Sequence, residues 1–153
     1  MKRLGKFFRL KQRDRSLLVV ALLVLGGIRL GLWLLPFQTL GRLLEKITPK
    51  TTKLHEAPGN INYIVWAVAV ASRYIPGARC LAQALATQLL LSWHGCQTCL
   101  CIGVAKDKEG KLTAHAWVEN QGKIVMGALE NLSTYTPLPL GQRHHSDRWY
   151  LFS

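Results

Sequence analysis

The chain predicts an α+β fold, a helical amino-terminal half packed on an antiparallel sheet, and three observations carry that prediction. Up to Leu91 the apolar residues either run unbroken or recur at helical spacing, within a background rich in Leu and Ala. Beyond residue 98 the pattern changes to two strand-like stretches, 98–105 and 112–119, separated by a short polar loop. The length, 153 residues, suits one domain with a hydrophobic core of its own.

Residues 1–16 read as a basic lead-in: Lys2, Arg3, Lys6, Arg9, Lys11, Arg13 and Arg15 stand against Asp14, a net +6. An apolar helical segment, 17–47, follows. From Leu17 to Leu35 the run is long enough to span a bilayer. Arg29 inside it, three glycines, and basic residues on both sides (Arg42, Lys46, Lys50 and Lys53 follow) weigh against a span. No small-x-small cleavage site supports a secretory signal. The favoured reading is a helix that packs on the core of the chain or on a partner, with membrane contact through 17–35 left open. Pro36 ends it, and Leu40, Leu43, Leu44 and Ile47 give a short amphipathic helix that stops near Pro49.

Residues 48–60 are a polar loop. The core of the chain is expected over 61–138, opening with a helix from Ile61 to Tyr74 whose packing positions are Ile64, Val65, Val68 and Ala71. Pro76-Gly77 is a turn signal. Behind it Cys80 starts a helix with Leu81, Leu85 and Leu89 on one face. Gly95 suits the cap after that helix. Residues 98–105 form an apolar strand, Asp107–Gly110 a hairpin loop, 112–119 a second strand and 123–126 a third. The tail, 139–153, is irregular and has no expected placement.

Hydrophobic residues make up 49% and charged residues 18%, with a net charge of +12, and the mean hydropathy is +0.12. Such a basic chain could meet anionic lipid, an acidic peptide or nucleic acid. No nucleic-acid fold signature is present, so no nucleic acid is expected as a partner. Four cysteines make no small secreted disulfide framework, and a reactive thiol wants reducing surroundings, so the cytoplasm is the expected compartment, with association to a membrane as an option.

Cys80, at a helix start, reads as a small core residue or as a nucleophile, since unpaired N–H groups and the helix dipole favour a thiolate there. In 112–119 the alternation puts Ala114, Ala116 and Val118 on one face and His115, Trp117 and Glu119 on the other. A histidine on a strand, downstream of such a cysteine, is the arrangement of a nucleophile and its base. Cys80-Leu-Ala-Gln-Ala-Leu and His115-Ala-Trp-Val-Glu together resemble the lasso-peptide maturation protease family, the transglutaminase-like B proteins. The segment ending Leu34-Leu35-Pro36-Phe37, Ile102-Gly103-Val104 and Tyr135-Thr136-Pro137-Leu138 are similar to that family too, over roughly residues 15 to 138.

The resemblance implies a papain/transglutaminase-like core in which Cys80 is the nucleophile and His115 the base. It implies removal of the leader peptide from a ribosomally made lasso-peptide precursor, with no cofactor. It further implies the leader-peptidase half, with the small leader-binding domain that some relatives carry fused expected instead as a separate leader-binding protein partner. An ATP-dependent macrolactam cyclase would take the cleaved core. The rivals are acyl transfer to an amine, as transglutaminases perform, and a non-catalytic scaffold that grips leader peptide or cyclase.

Relatives carry an aspartate twelve positions after the histidine; this chain has Gly127 there, so the third member of the triad is unknown. A three-residue loop Asn120-Gln121-Gly122 would pair Glu119 with Lys123 and set His115 opposite residue 127. Glu130 or Asn131 could reach back, a backbone carbonyl or water could orient the ring, or the site could be weakened; Glu119 lies about 13 Å along the strand, too far to help. Cys96, Cys99 and Cys101 with His94 could ligate zinc, but Cys99 and Cys101 share one side of a strand, which suits packing better. His144-His145 near Asp147 could bind metal or act as a surplus base, against the simpler reading of a solvated tail. No metal is expected.

Overall fold

The computed structural model describes residues 12–48, 58–138, 143–144 and 148–149. Their order is α1 (Gln12–Leu34), α2 (Phe37–Ile47), α3 (Pro58–Ser72), α4 (Cys80–Trp93), β1 (Cys99–Lys106), β2 (Leu112–Asn120), β3 (Lys123–Met126), a 3-10 turn (Leu132–Thr134), β4 (Thr136–Pro137), β5 (Arg143–His144) and β6 (Arg148–Trp149). The chain is α+β: four helices and a four-stranded antiparallel sheet ordered β3-β2-β1-β4, with α4 and the edge of α3 packed on the sheet.

The helical half is built around α4. Its Leu81, Leu85 and Leu89 spacing suggests a single apolar face, yet every residue from Ala84 to Leu91 is buried. Contacts with α1, α3 and β2 explain this, because α4 runs between the other helices and the sheet. Small residues at Ala82, Ala84 and Ala86 allow that close approach, and Leu85, Leu90 and Leu91 fill the space between. Each such leucine contributes about 1.5–3 kcal/mol relative to an exposed one. On α3 the buried positions are Ile64, Ala67, Val68 and Ala71, with Val65 at the margin, close to the expected stripe.

Helix α1 begins at Gln12, so the end of the basic lead-in is already helical, and it buries Leu18, Ala21, Leu25 and Ile28 in the same core. On α2 only Leu40 and Leu44 are buried. Leu43 and Ile47, which the amphipathic pattern also placed inward, are exposed. The Trp93 Nε1–H donates to the Ile47 carbonyl at 3.0 Å and so ties the end of α2 to the end of α4.

In the sheet, β1 and β2 pair without interruption from Cys99 with Glu119 to Lys106 with Leu112. Ala116, Val118, Leu100 and Ile102 join the helical core. The turn into β3 departs from the sequence expectation. Gln121 and Gly122 both have positive φ, 48° and 81°, which makes a two-residue turn with Asn120 paired to Lys123. A bulge between Val118 and Glu119 then shifts the pairing again, so that Val118 faces Met126. The expected pairing of Glu119 with Lys123, and of His115 with residue 127, is therefore wrong. The tail, for which the sequence offered no placement, holds one short antiparallel pair, β5 with β6. Residues 1–11, most of the 48–60 loop, and His145 and Asp147 lie outside the described residues.

Candidate active site

Cys80 is the first residue of α4 and is half-buried. The segment before it is held by short bonds: Arg79 N–H to the Gly77 carbonyl at 2.8 Å, and Ala78 N–H to Ile75 at 3.3 Å. Gln83 Nε2 donates to the Ala78 carbonyl at 2.8 Å and fastens the same turn to the helix from the other side. The first intrahelical bond is Gln83 N–H to the Arg79 carbonyl at 3.1 Å. The N–H groups of Cys80, Leu81 and Ala82 come before it, and Arg79 supplies no side-chain cap. They are the donors a helix start offers to an anion developing at a carbonyl oxygen.

His115 stands on β2, on the face opposite Ala116 and Val118. Its Nε2 lies 2.7 Å from the Gly127 carbonyl oxygen. A carbonyl can only accept, so Nε2 carries the proton and Nδ1 keeps its lone pair. The ring is thus held in the tautomer of a general base, with Nδ1 as the basic atom. The orienting group is main chain: neither Glu130 nor Asn131 supplies a side-chain hydrogen bond to the ring among the described residues.

Gly127 achieves this through its backbone. Its φ is +83°, and a Cβ there would sit 2.7 Å from the Ala116 carbonyl oxygen and 3.0 Å from the Trp117 Cα. It therefore lies tight against 116–117, and its carbonyl reaches back to the ring of residue 115. Glycine is the residue that fits both the angle and the space.

Two aromatic rings flank the imidazole. Trp117 stacks on it with centroids 6.4 Å apart and planes 15° apart, and Tyr135 approaches at 5.8 Å and 55°. Trp117 is buried, and its Nε1–H donates to Glu119 Oε1 at 2.9 Å. Glu119 thus orients the tryptophan rather than the histidine. Opposite His115 in β1 is Gly103, where a Cβ would come within 3.0 Å of the Trp117 ring and of Tyr135 Cβ. That missing side chain is the space into which both aromatics pack. The sequence singled out Ile102-Gly103-Val104 and Tyr135-Thr136-Pro137-Leu138 only as points of resemblance; their part in building the histidine's surroundings comes from the cross-strand register.

Cys80 and His115 are two separately built groups. Among the described residues Cys80 makes no side-chain hydrogen bond, to His115 or to any other residue. β2 links them, since it is the strand on which α4 packs most. Cys99 and Cys101 lie on one side of β1 with Sγ atoms 3.6 Å apart, and no group of three or more His, Cys, Asp or Glu is arranged to hold a metal among the described residues.

Neither curated proteins nor solved structures give a match to this chain. The family model of the transglutaminase-like superfamily matches residues 22–139, more than three quarters of the sequence, and the match takes in Cys80, His115 and Gly127. The superfamily's chemistry is of the cysteine protease and acyltransferase type. The chain belongs to the transglutaminase-like superfamily, and its α+β architecture is consistent with that fold.

Proposed function

We propose that this protein is a cysteine peptidase that removes the leader peptide from a lasso-peptide precursor, with Cys80 as nucleophile and His115 as base. The observation that carries the chemistry is the Gly127 carbonyl on His115 Nε2, which leaves Nδ1 as the proton acceptor in a transglutaminase-like chain whose cysteine begins a helix. The substrate class rests on the resemblance of the Cys80 and His115 motifs and of the segments around Gly103 and Tyr135.

In the reaction Nδ1 takes the thiol proton and the Cys80 sulfur attacks the scissile carbonyl carbon. The oxyanion is held by N–H groups at the start of α4. The imidazolium returns its proton to the leaving amine nitrogen, the C–N bond breaks, and a thioester remains on Cys80. Water, deprotonated by His115, cleaves the thioester to a carboxylate, and the thiol is regenerated. Nucleophile and base need not be bonded beforehand, because such contacts tighten around bound substrate. An amine in place of water at the second step gives acyl transfer from the same intermediate.

A separate leader-binding protein would deliver the precursor, and an ATP-dependent macrolactam cyclase would consume the freed core. Mass spectrometry of a precursor incubated with this chain and the leader-binding protein should show two fragments whose masses sum to the precursor plus one water. Cys80→Ala should abolish them while circular dichroism stays unchanged. Full cleavage by that variant would end the proposal, and a product conjugated to an amine would replace it with acyl transfer.

A further inference from the structure

Helix α1 is apolar on two opposite sides, and its own fold covers only one of them. Leu18, Ala21, Leu25 and Ile28 face the core. At the same steps of three and four, Val19, Leu23, Gly27, Leu30 and Leu34 follow one another along the opposite side, all exposed. Leu23 is 70% exposed, Leu34 62% and Trp33 73%. By length and composition this helix could cross a bilayer. Crossing would require pulling Leu25 and Ile28, at 0% and 3% exposure, out of the core. A helix that is apolar all round and half-covered is completed by a second apolar phase along its length.

The charges indicate which phase. Arg29 is the one charged residue between Leu17 and Leu35, and it is turned toward the protein: a Cβ on Gly77 would meet its Nε and Nη2 at 2.8 Å. The outer stripe is therefore uncharged from Val19 to Leu34. Immediately before it come seven Lys or Arg within 16 residues. Trp33 sits near the far end, the amphipathic type of side chain that settles at headgroup level. An uncharged stripe, a basic flank and a terminal tryptophan together match an anionic lipid surface.

We propose that α1 lies flat on an anionic membrane, its outer stripe in the acyl boundary, with the net +6 of the sequence 1–16 supplying the attraction to anionic headgroups. The folded core is thereby held at the membrane with α1 in the surface rather than across it. This is independent of the chemistry at Cys80, so Cys80→Ala should bind membranes like the parent.

The test is flotation of the full chain with vesicles of phosphatidylcholine alone, and with phosphatidylserine added, at low and high salt. Binding should need phosphatidylserine and weaken with salt. Leu23→Glu combined with Leu34→Glu should lower it by roughly tenfold or more, with circular dichroism unchanged because both positions are exposed. The milder pair Val19→Gln and Leu30→Gln should act in the same direction. Alkaline carbonate should release the chain from membranes. No flotation with anionic vesicles, or unchanged flotation of both pairs, would overturn the proposal. So would resistance to carbonate, which means a span, and so would a dimer or a complex with the leader-binding protein that the Leu23→Glu pair dissociates.

Discussion

Gly127→Asp, which installs the acid that the family resemblance implies at this position, should damage the protein rather than repair it. Three features of the structure set the size of the effect. The residue sits at φ +83°, where a side chain costs about 1–3 kcal/mol in strain. Its Cβ would come to 2.7 Å from the Ala116 carbonyl oxygen and 3.0 Å from the Trp117 Cα. Those are backbone atoms of β2 and cannot swing aside, so relief means prising β3 away, at a further cost of about 1–3 kcal/mol. Together the two come to about 2–6 kcal/mol, a large share of a typical native stability of about 5–15 kcal/mol. In a chain of this size that lowers Tm by roughly 4–24 °C. The third feature is chemical: a carboxylate built on that Cβ starts beside Trp117, and moving the backbone to fit it removes the carbonyl from His115 Nε2.

The assay is thermal unfolding and leader cleavage of Gly127→Asp beside Gly127→Ala, which shares the backbone strain without the charge. Both should unfold earlier and cleave more slowly. An aspartate variant as stable as the parent and faster than it, with the alanine variant slower, would refute the reasoning. It would mean that residue 127 faces the ring directly, as the three-residue loop requires.

Gly103→Val places a side chain within about 3.0 Å of the Trp117 ring and Tyr135 Cβ; it should cost about 1–3 kcal/mol in denaturant unfolding and, by displacing the rings beside His115, lower the rate of leader cleavage by more than the lost folded fraction explains. Leu25→Ala empties a fully buried position on α1 and should cost about 2–5 kcal/mol; an unchanged Tm would show that α1 is not part of the folded core. Cys96→Ala, Cys99→Ala and Cys101→Ala should each shift stability by about 1 kcal/mol and leave leader cleavage by the folded protein unchanged.

What was legible in the sequence was the periodic part. The switch from helical to strand spacing near residue 98 gives the fold class, and alternation in 112–119 puts His115 and Trp117 on one face, as their stacked rings show. Residue counts across the second hairpin were not legible. Asn120-Gln121-Gly122 suits a three-residue loop with one positive φ, and the chain instead uses Gln121 and Gly122 both at positive φ. The bulge at Val118/Glu119 has no letter that announces it. Both shifts move the same way along β3, and each alters which atom meets His115. Apolarity has a similar limit. A run of leucines and valines shows that α1 is apolar; which half is core depends on where α3 and α4 lie, and those are long-range facts.

The orienting partner of His115 shows why a missing acid is a poor guide to how a histidine ring is held. Every residue has a carbonyl, so a main-chain acceptor leaves no mark in the sequence, and a search for Asp, Glu or Asn passes over it. The Gly127 oxygen does one of the two things a carboxylate would do: at 2.7 Å it fixes the proton on Nε2. It brings no full charge to the imidazolium, as in the papain-type arrangement, where a neutral amide takes the third place. Bringing a carbonyl to that point requires the chain to pass close over Ala116 and Trp117 at positive φ, and this is a demand for glycine. The glycine that reads as the loss of an acid is, in three dimensions, the residue that lets the backbone serve in its place.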